Sequence, residues 1–337
     1  MFINNNLSRR SFLIAGAAAA GGVALAPRMA LAAQYQIELS VNAGSSELAF
    51  AELFASRGIA EKWDIDMRPT PISDGSKVIA SLISGGSAMC PGSGFSNVLV
   101  AIEKGADLKL VCGNSDKIAQ AVFTKRDDIH SVADLAGKTI AVGAPGALLH
   151  QYMIAILRKH GVDPASVNFV NAGSSTNTFR AAAGGTVDAA PGLLNAMPLA
   201  EEQGLRVIAE VWEEVPSFPY QAGYASSAAI QNQREEIIRT ICSYGELYAF
   251  IQSDAPDAKT AYVDAFVKAA EMAPEAAAFQ WDWVHANQAY SIDLFAEAID
   301  FLQDLNIEAG LQTTKMPIEQ IADFSLLEEA KQRLGQG

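Results

Sequence analysis

The sequence has few of the residues that most often carry enzyme chemistry or bind metals. It contains three cysteines and four histidines, His130, His150, His160 and His285, and the histidines do not recur at the spacing of a metal site. No Cys–His or Ser–His–Asp arrangement indicates a nucleophile. We therefore predict no catalytic residue, no metal and no cofactor, and expect that the protein is not an enzyme.

Positive charge is also scarce. Lysine and arginine together number 24 against 38 aspartates and glutamates, which gives a formal net charge of −14. This balance argues against nucleic acid or an anionic membrane as a partner. The three cysteines, Cys90, Cys112 and Cys242, cannot all pair with one another. We predict that they are buried free thiols, with a disulfide between Cys90 and Cys112 as the alternative.

The N-terminal apolar stretch, residues 14–26, is shorter than the ~20 residues that a membrane span needs. It follows the residues Leu7-Ser8-Arg9-Arg10-Ser11-Phe12-Leu13 and precedes Ala30-Leu31-Ala32. This pattern resembles a twin-arginine export signal. The resemblance implies that residues 1–33 are a signal peptide cleaved near Ala32 and that the mature protein is periplasmic, an uncleaved anchor being the alternative.

The rest of the chain alternates strand-like and helix-like patterns, which predicts an α/β fold with parallel sheets. Its clearest unit is the β-branched run 138–142, which the glycine-rich turn 143–146 separates from a helical pattern that begins at Leu148. A helix that starts directly after a strand presents unpaired N–H groups at the strand's carboxyl end. Small polar or anionic ligands bind at such positions.

The order of the elements predicts two lobes. The pattern restarts after residues 121–124, returns near 211–221, and becomes helical from Gln233 onward. We predict a discontinuous first lobe of residues 34–117 plus 222–337 and a second lobe of residues 118–221. Two hinge crossovers, near 115–120 and 215–223, would join them, and the helical tail would pack on the first lobe. Strand-end loops of both lobes would line the cleft.

Five segments carry a resemblance to a known family. They are residues 53–66, 82–86, 101–111, 129–138 and 184–189, with Gly58-Ile59-Ala60-Glu61-Lys62-Trp63 and Gly184-Gly185-Thr186-Val187-Asp188-Ala189 among them. In order and spacing they resemble the solute-binding proteins of ABC importers for taurine, aliphatic sulfonates, nitrate and thiamine-pyrimidine precursors. The resemblance implies the two-lobed type II periplasmic binding protein fold. It also implies a monomer that clamps a small organic acid or sulfonate-like solute and delivers it to a membrane permease driven by an ATPase.

Ligand-binding residues are expected at the strand ends, where backbone N–H groups and hydroxyls would hold an anion. Lys117 could instead be a solvated hinge residue and His150 an exposed helix residue, while Phe218 and Tyr220 are candidates for stacking. Backbone donors do not discriminate among sulfonate, carboxylate, pyrimidine and aromatic acid. The predicted set is Gly44, Ser45, Ser46, Gly94, Phe95, Ser96, Lys117, Gly146, Ala147, His150, Ser174, Ser175, Thr176, Asn177, Asn195, Phe218 and Tyr220.

Two alternatives to an importer component remain. One is a ligand-binding partner of a membrane sensor or of a tripartite transporter. The other is an enzyme, because pyrimidine-precursor synthases resemble this family. Those synthases use a cysteine-rich cluster, whereas the three cysteines of this sequence stand singly.

Overall fold

The computed structural model describes residues 33–42, 46–72, 75–216 and 218–336. The predicted export signal up to residue 32, and Gly44 and Ser45 of the predicted site, lie outside the described residues. Residues 33–337 form one compact unit. Among the described helices, none is both long and apolar enough to cross a membrane.

The described strands divide between two sheets. They are β1 (Tyr35–Asn42), β2 (Ile65–Ile72), β3 (Met89–Ser93), β4 (Leu108–Ser115), β5 (Gln120–Thr124), β6 (Thr139–Val142), β7 (Asn168–Asn171), β8 (Ala189–Leu193), β9 (Arg206–Glu210) and β10 (Gln221–Ser226). The first sheet has the order β2-β1-β3-β10-β4, and the second has the order β7-β6-β8-β5-β9.

Helices follow most of the strands and make up the C-terminal third of the chain. They are α1 (Glu47–Ser56), α2 (Ile59–Lys62), α3 (Gly75–Ile83), α4 (Ser96–Glu103), α5 (Leu148–Lys159), α6 (Ser175–Ala183), α7 (Met197–Ala200), α8 (Val211–Glu214), α9 (Ser227–Asn232), α10 (Arg234–Ile251), α11 (Ala258–Ala270), α12 (Pro274–Asn287), α13 (Ala296–Glu308), α14 (Ile318–Ile321) and α15 (Phe324–Leu334).

The α/β class is confirmed, but the prediction of wholly parallel sheets is wrong. In the first sheet β1 pairs in parallel with β2 and β3, whereas β10 is antiparallel to β3 and β4. In the second sheet β6 is parallel to β7 and β8, whereas β5 is antiparallel to β8 and β9. Parallel neighbours need a crossover that returns the chain to the same end of the sheet. The strands β5 and β10 instead follow crossings between the two sheets and enter from the opposite end.

The C-terminal helices complete the core around the first sheet. Ile37 and Leu39 of β1 lie in one hydrophobic cluster with Phe50 of α1, Ile241 of α10 and Leu326 of α15. Alternate residues of a strand point to one face, and helical residues three or four apart share a face, so these apolar positions meet in one layer. Helix α12 also contacts α7 and the turn at residues 194–196, which both follow β8 of the second sheet.

A second hydrophobic cluster is built from both sheets. Leu110 and Tyr224 of the first sheet belong to it together with Val122 and Ile140 of the second, and Ile156 of α5 is fully buried in it. The two sheets therefore share a continuous apolar core.

Candidate functional site

A cavity of about 110 Å³ lies where strand ends of both sheets meet. The first sheet contributes Asn114 and Ser115 at the end of β4, and the second contributes Leu193 at the end of β8. Loops beyond the strands and the helices α11 and α12 close the space. Its lining is Ser46, Glu47, Phe50, Asn114, Ser115, Ala119, Leu193, Leu194, Asn195, Tyr220, Gln221, Phe266, Ala270, Met272, Gln280, Trp283, Val284, Ala289 and Tyr290.

A larger and more open cavity of about 520 Å³ adjoins the first. Leu193, Asn195, Ala270 and Met272 line both, so the two form one continuous groove. The remaining walls of the larger cavity come from the start of α6, the end of α11 and neighbouring residues. They are Leu48, Ser175, Thr176, Phe179, Ala196, Ala269 and Glu271.

A buried carboxyl group forms part of the smaller cavity. Glu47, in the first turn of α1, is 5% exposed. The Tyr244 hydroxyl donates a hydrogen bond to its Oε2, and Asn114 Nδ2 donates to its Oε1 at 3.5 Å. Burial raises the pKa of Glu47 to about 7, although both hydrogen bonds act in the opposite direction by stabilising the ionised form. At neutral pH this group is poised between its charged and neutral states.

Aromatic side chains make up much of the remaining wall. Phe50, Tyr220, Phe266, Trp283 and Tyr290 all line the smaller cavity. The Tyr290 ring packs edge-on against Phe50 with centroids 5.4 Å apart. The pKa of Tyr290 is raised to about 12, chiefly by burial, so its hydroxyl is neutral. The Trp283 Nε1 atom is buried and has no hydrogen-bond partner among the described residues.

The groove carries almost no charge. Of the described residues that line the two cavities, none is a lysine, arginine or histidine, and the acidic ones are Glu47 and Glu271. Lys117 lies outside the lining, where its Nζ donates to the Asn287 carbonyl at 2.8 Å. A bound anion would therefore depend on neutral donors such as hydroxyls and amides.

The structure brings part of the predicted site together at this groove. Ser46, Asn195 and Tyr220 line the smaller cavity, and Ser175 and Thr176 line the larger one together with Asn195. Ser174 and Asn177 lie beside them at the start of α6, where the Ser174 hydroxyl accepts a hydrogen bond from the Asn177 N–H at 3.4 Å.

Residues predicted at the start of α4 lie away from the groove. Phe95 is 1% exposed and belongs to the shared core. Ser96 is buried, and its Oγ donates to Asn306 Oδ1 of α13 at 2.8 Å. Gly94 faces Leu148 of α5. A Cβ added to the glycine would lie 3.5 Å from the Leu148 side chain.

The start of α5 is covered as well. A Cβ on Gly146, whose φ is +77°, would lie 2.0 Å from Leu311 Cδ1, so the C-terminal segment packs directly on this turn. Ala147 precedes α5, and its carbonyl accepts from the Gln151 N–H. His150 Nδ1 accepts from the Gly146 N–H at 3.0 Å, and burial lowers the pKa of His150.

Phe218 lies in the shared core rather than in the lining. It is 1% exposed and packs edge-on against Tyr152 and Phe301, with ring centroids 6.5 and 5.6 Å away. Tyr220, two residues later, reaches the cavity, and its hydroxyl accepts from Gln120 Nε2 at 3.3 Å.

Several lining residues were not in the predicted set. Glu47 and Asn114 had a sequence signal, since Glu47 begins the helix that follows β1 and Asn114 lies at the carboxyl end of β4. Phe266, Gln280, Trp283 and other residues of α11 and α12 had none, because only tertiary packing brings these helices to the strand ends.

The three cysteines do not contribute a reactive thiol to the groove. Cys90, Cys112 and Cys242 are free and buried, which confirms the predicted free thiols and leaves Cys90 and Cys112 unbridged. Burial raises the pKa of Cys90 and Cys112 to about 12. Thiols in this state are neutral and weakly nucleophilic. Within the described ranges, no group of three or more His, Cys, Asp and Glu residues could hold a metal ion.

Comparison with known proteins places the fold. Residues 57–279 match the family described as "NMT1/THI5 like", which spans more than half of the chain. No curated protein matches the sequence significantly. Solved structures match along nearly the full length at low identity, so they show the fold alone.

Three of these structures illustrate the range of the fold. The periplasmic aliphatic sulphonate binding protein SsuA from Escherichia coli is 18% identical, with a TM-score of 0.70 over 86% of this chain and 92% of that one. The alkanesulfonate-binding protein SsuA from Xanthomonas axonopodis pv. citri, bound to MOPS, is 18% identical, with a TM-score of 0.69 over 89% and 99%. The desulfurization enzyme DSZB is 14% identical, with a TM-score of 0.63 over 89% and 100%.

Proposed function

Since this chain belongs to the NMT1/THI5-like family, we propose that it is the solute-binding component of an ABC importer. It binds a small organic acid or sulfonate-like solute in the groove and delivers it to a membrane permease that an ATPase drives. Two neighbours of this fold are named as sulfonate-binding proteins, one of them bound to MOPS. The protein acts in the periplasm as a monomer, after twin-arginine export and removal of residues 1–33.

The observation that carries this proposal is the composition of the groove. Strand ends of both sheets supply its walls, as Asn114 does from β4 and Leu193 from β8. Ligands of open α/β sheets bind outside the carboxyl ends of the strands. Ser46 at the start of α1 and Asn195 are the donors that support binding of an acid group. Ser175 and Thr176 extend these contacts into the larger cavity.

Closure of the two lobes couples binding to transport in this proposal. The first lobe comprises residues 34–117 and 222–337, and the second comprises residues 118–221. A solute that contacts both binds the closed arrangement better and shifts the population toward it. The crossings near 115–120 and 215–223 take up the change in backbone angles. The permease then recognises the closed form.

The state of the thiols supports a binding role over catalysis. The fold also occurs in a desulfurization enzyme, so the fold alone does not exclude chemistry. In this chain Cys90 and Cys112 are buried with pKa values raised to about 12, and neither is among the residues that line the cavities. These two thiols therefore offer the groove no activated nucleophile, which favours holding a solute over cleaving it.

A ligand screen tests the proposed function. The exported protein, purified and refolded free of ligand, is heated with sulfonates, carboxylates, aromatic acids and pyrimidines, and hits are titrated by calorimetry. A ligand at 100 times its Kd stabilises the folded state by about 2.7 kcal/mol and raises the Tm. Asn195→Ala should weaken a hit at least tenfold, while the exposed-surface control Asp304→Ala should not. If no compound shifts the Tm of the folded protein, the proposed binding of an organic acid or sulfonate-like solute is contradicted.

A further inference from the structure

Helix α13 contacts two helices that belong to different sheets. Helix α4 follows β3 of the first sheet, and α5 follows β6 of the second. The side chain of Asn306 in α13 lies between them, where its Oδ1 accepts from Ser96 Oγ of α4 at 2.8 Å and from Gln151 Nε2 of α5 at 2.6 Å. Asn306 is fully buried, and Ser96 and Gln151 are nearly so. One side-chain oxygen of α13 thus connects the two sheets.

Further contacts hold α13 and the residues after it to both helices. On the α4 side, Glu103 Oε1 accepts from the N–H groups of Thr313 and Thr314, at 2.8 Å each. On the α5 side, Glu308 forms an ion pair with Arg158. That pair is exposed and contributes little to stability, so the buried hydrogen bonds of Asn306 are the stronger link. The tail therefore contacts both sheets through several separate groups.

This connection lies outside the groove. Of the described residues of α4, α5 and α13, none lines either cavity. The walls of the groove nevertheless come from both sheets, as Asn114 of β4 and Leu193 of β8 show. The separation of these walls depends on how the two sheets are oriented relative to each other. A connection that fixes this orientation from outside therefore also fixes the width of the groove.

We propose that Asn306 is a positioning residue, which holds the two sheets in the arrangement that forms the groove and thereby sets the affinity for the solute. The effect on affinity rests on the proposed function, in which a solute contacts walls from both sheets. The chain itself passes between the sheets from β4 to β5 and from β9 to β10, and α13 adds a noncovalent connection. Without it, only a fraction of the molecules has the groove walls in place, and the apparent affinity falls by that fraction.

The α5 side of the connection can be removed by itself. The Oε1 atom of Gln151 is buried and has no hydrogen-bond partner among the described residues. A buried acceptor without a partner is unfavourable, so replacing this amide by an apolar side chain of similar length should cost little stability. Gln151→Met removes the hydrogen bond to Asn306 Oδ1, which keeps its bond from Ser96 Oγ. This variant separates the sheets at α13 without leaving a buried donor unpaired.

A matched control lies one turn before Asn306 on the same helix. Gln303 is also fully buried, but its hydrogen bonds stay within the tail. Its Nε2 donates to the Met316 carbonyl at 3.1 Å, and its Oε1 accepts from Gln312 Nε2 at 2.8 Å. Gln303→Ala therefore removes a buried amide of α13 without cutting the connection between the sheets. It distinguishes a positioning effect from a general loss of stability.

Small-angle X-ray scattering of the ligand-free protein tests whether Asn306 holds the sheets together. The wild type, Asn306→Ala, Gln151→Met and Gln303→Ala are compared at a temperature at which circular dichroism shows each to be folded. Asn306→Ala and Gln151→Met should have a larger radius of gyration than the wild type, and Gln303→Ala should match it. If Asn306→Ala does not fold, Gln151→Met decides. The same radius of gyration in all folded variants would overturn the inference.

Calorimetric titration with pentane-1-sulfonate and pentanoate as probes tests the effect on affinity. For a probe that binds, Asn306→Ala and Gln151→Met should raise the Kd by roughly threefold or more relative to Gln303→Ala. A saturating concentration should return their radius of gyration to the wild-type value. An unchanged Kd would overturn the positioning role and leave the proposed function intact. If neither probe binds the wild type, the proposed binding of such acids is contradicted, while the scattering comparison still decides whether Asn306 holds the sheets.

Discussion

Among single residues, Glu47 should make the free energy of unfolding depend measurably on pH. Burial raises the pKa of this carboxyl from its ordinary value of 4.5 to about 7, so the folded state binds the proton more tightly. The stability from this proton is complete below about pH 4.5 and is lost as pH rises through 7. The difference corresponds to roughly 3 kcal/mol. In urea unfolding from pH 4.5 to 8, the wild-type protein should lose about that much more stability than Glu47→Gln. Superimposable pH profiles of the two proteins would refute this assignment.

The same residue shows which properties of a single residue can be predicted from the sequence. Ser46 and Asn195 could be assigned to the ligand groove because they follow strands, and the topology places strand ends together. Glu47 follows Ser46 directly, but its neighbours in the sequence do not indicate that its carboxyl is buried. Its burial depends on Tyr244, which lies almost 200 residues later in α10. No local pattern encodes a contact of that separation.

At the level of elements, buried hydrogen bonds connect α13 to α4 and α5. The fully buried Asn306 accepts at Oδ1 from Ser96 Oγ at 2.8 Å and from Gln151 Nε2 at 2.6 Å, and its Nδ2 donates to the Ser96 carbonyl at 3.0 Å. Removing this side chain leaves buried donors and acceptors without their partner, which is costly. Asn306→Ala should therefore lower the free energy of unfolding by about 2–4 kcal/mol.

A matched control lies on the same helix. Asp304 pairs with Lys315 at 2.9 Å, but its side chain is 64% exposed. Exposed ion pairs contribute about 0–1 kcal/mol, so Asp304→Ala should change the stability by no more than that. Urea unfolding of both variants makes the comparison. Equal destabilisation by Asn306→Ala and Asp304→Ala would mean that the buried hydrogen bonds of Asn306 do not stabilise the packing of α13.

Elements were predicted well where the pattern is local and poorly where pairing is distant. The strand–turn–helix unit around Gly146 is present, and its helix begins at Leu148 as predicted. The direction of β5 and β10 was not predictable, because β-branched runs look the same in parallel and antiparallel neighbours. The cover over the starts of α4 and α5 was also missed, since it comes from the tail segment around Leu311.

For the molecule as a whole, the sequence predicted that the helical tail packs on the first lobe. In the first-sheet cluster, residues of α10, α11 and α15 pack together with those of β1 and α1. The tail does more than that, because α12 contacts the turn after β8 and thereby supplies a wall of the groove. Trp212 of α8 and Trp283 of α12 pack edge-on with centroids 5.1 Å apart. The tail therefore forms one wall of the groove, which the strand ends alone do not enclose.

The shared core predicts that both sheets unfold together. Ile156 of α5 is fully buried in a cluster that includes Leu110 of the first sheet and Ile140 of the second. Ile156→Ala should cost about 2–5 kcal/mol. Because the cluster is continuous, this loss should reach both sheets. The test follows urea unfolding in two single-tryptophan proteins, one retaining Trp63 beside β2 and the other Trp212 after β9.

Without further substitution, Trp63 and Trp212 should report the same urea midpoint. Ile156→Ala should lower the midpoint reported by each tryptophan by the same amount. Ile238→Ala, in the cluster confined to the first sheet and the tail, serves as the reciprocal variant and should also move both. A shift seen by Trp212 but not by Trp63 would show that the sheets unfold independently. In that case the lobes would be joined by the crossings alone, and closure would meet no resistance from a common core.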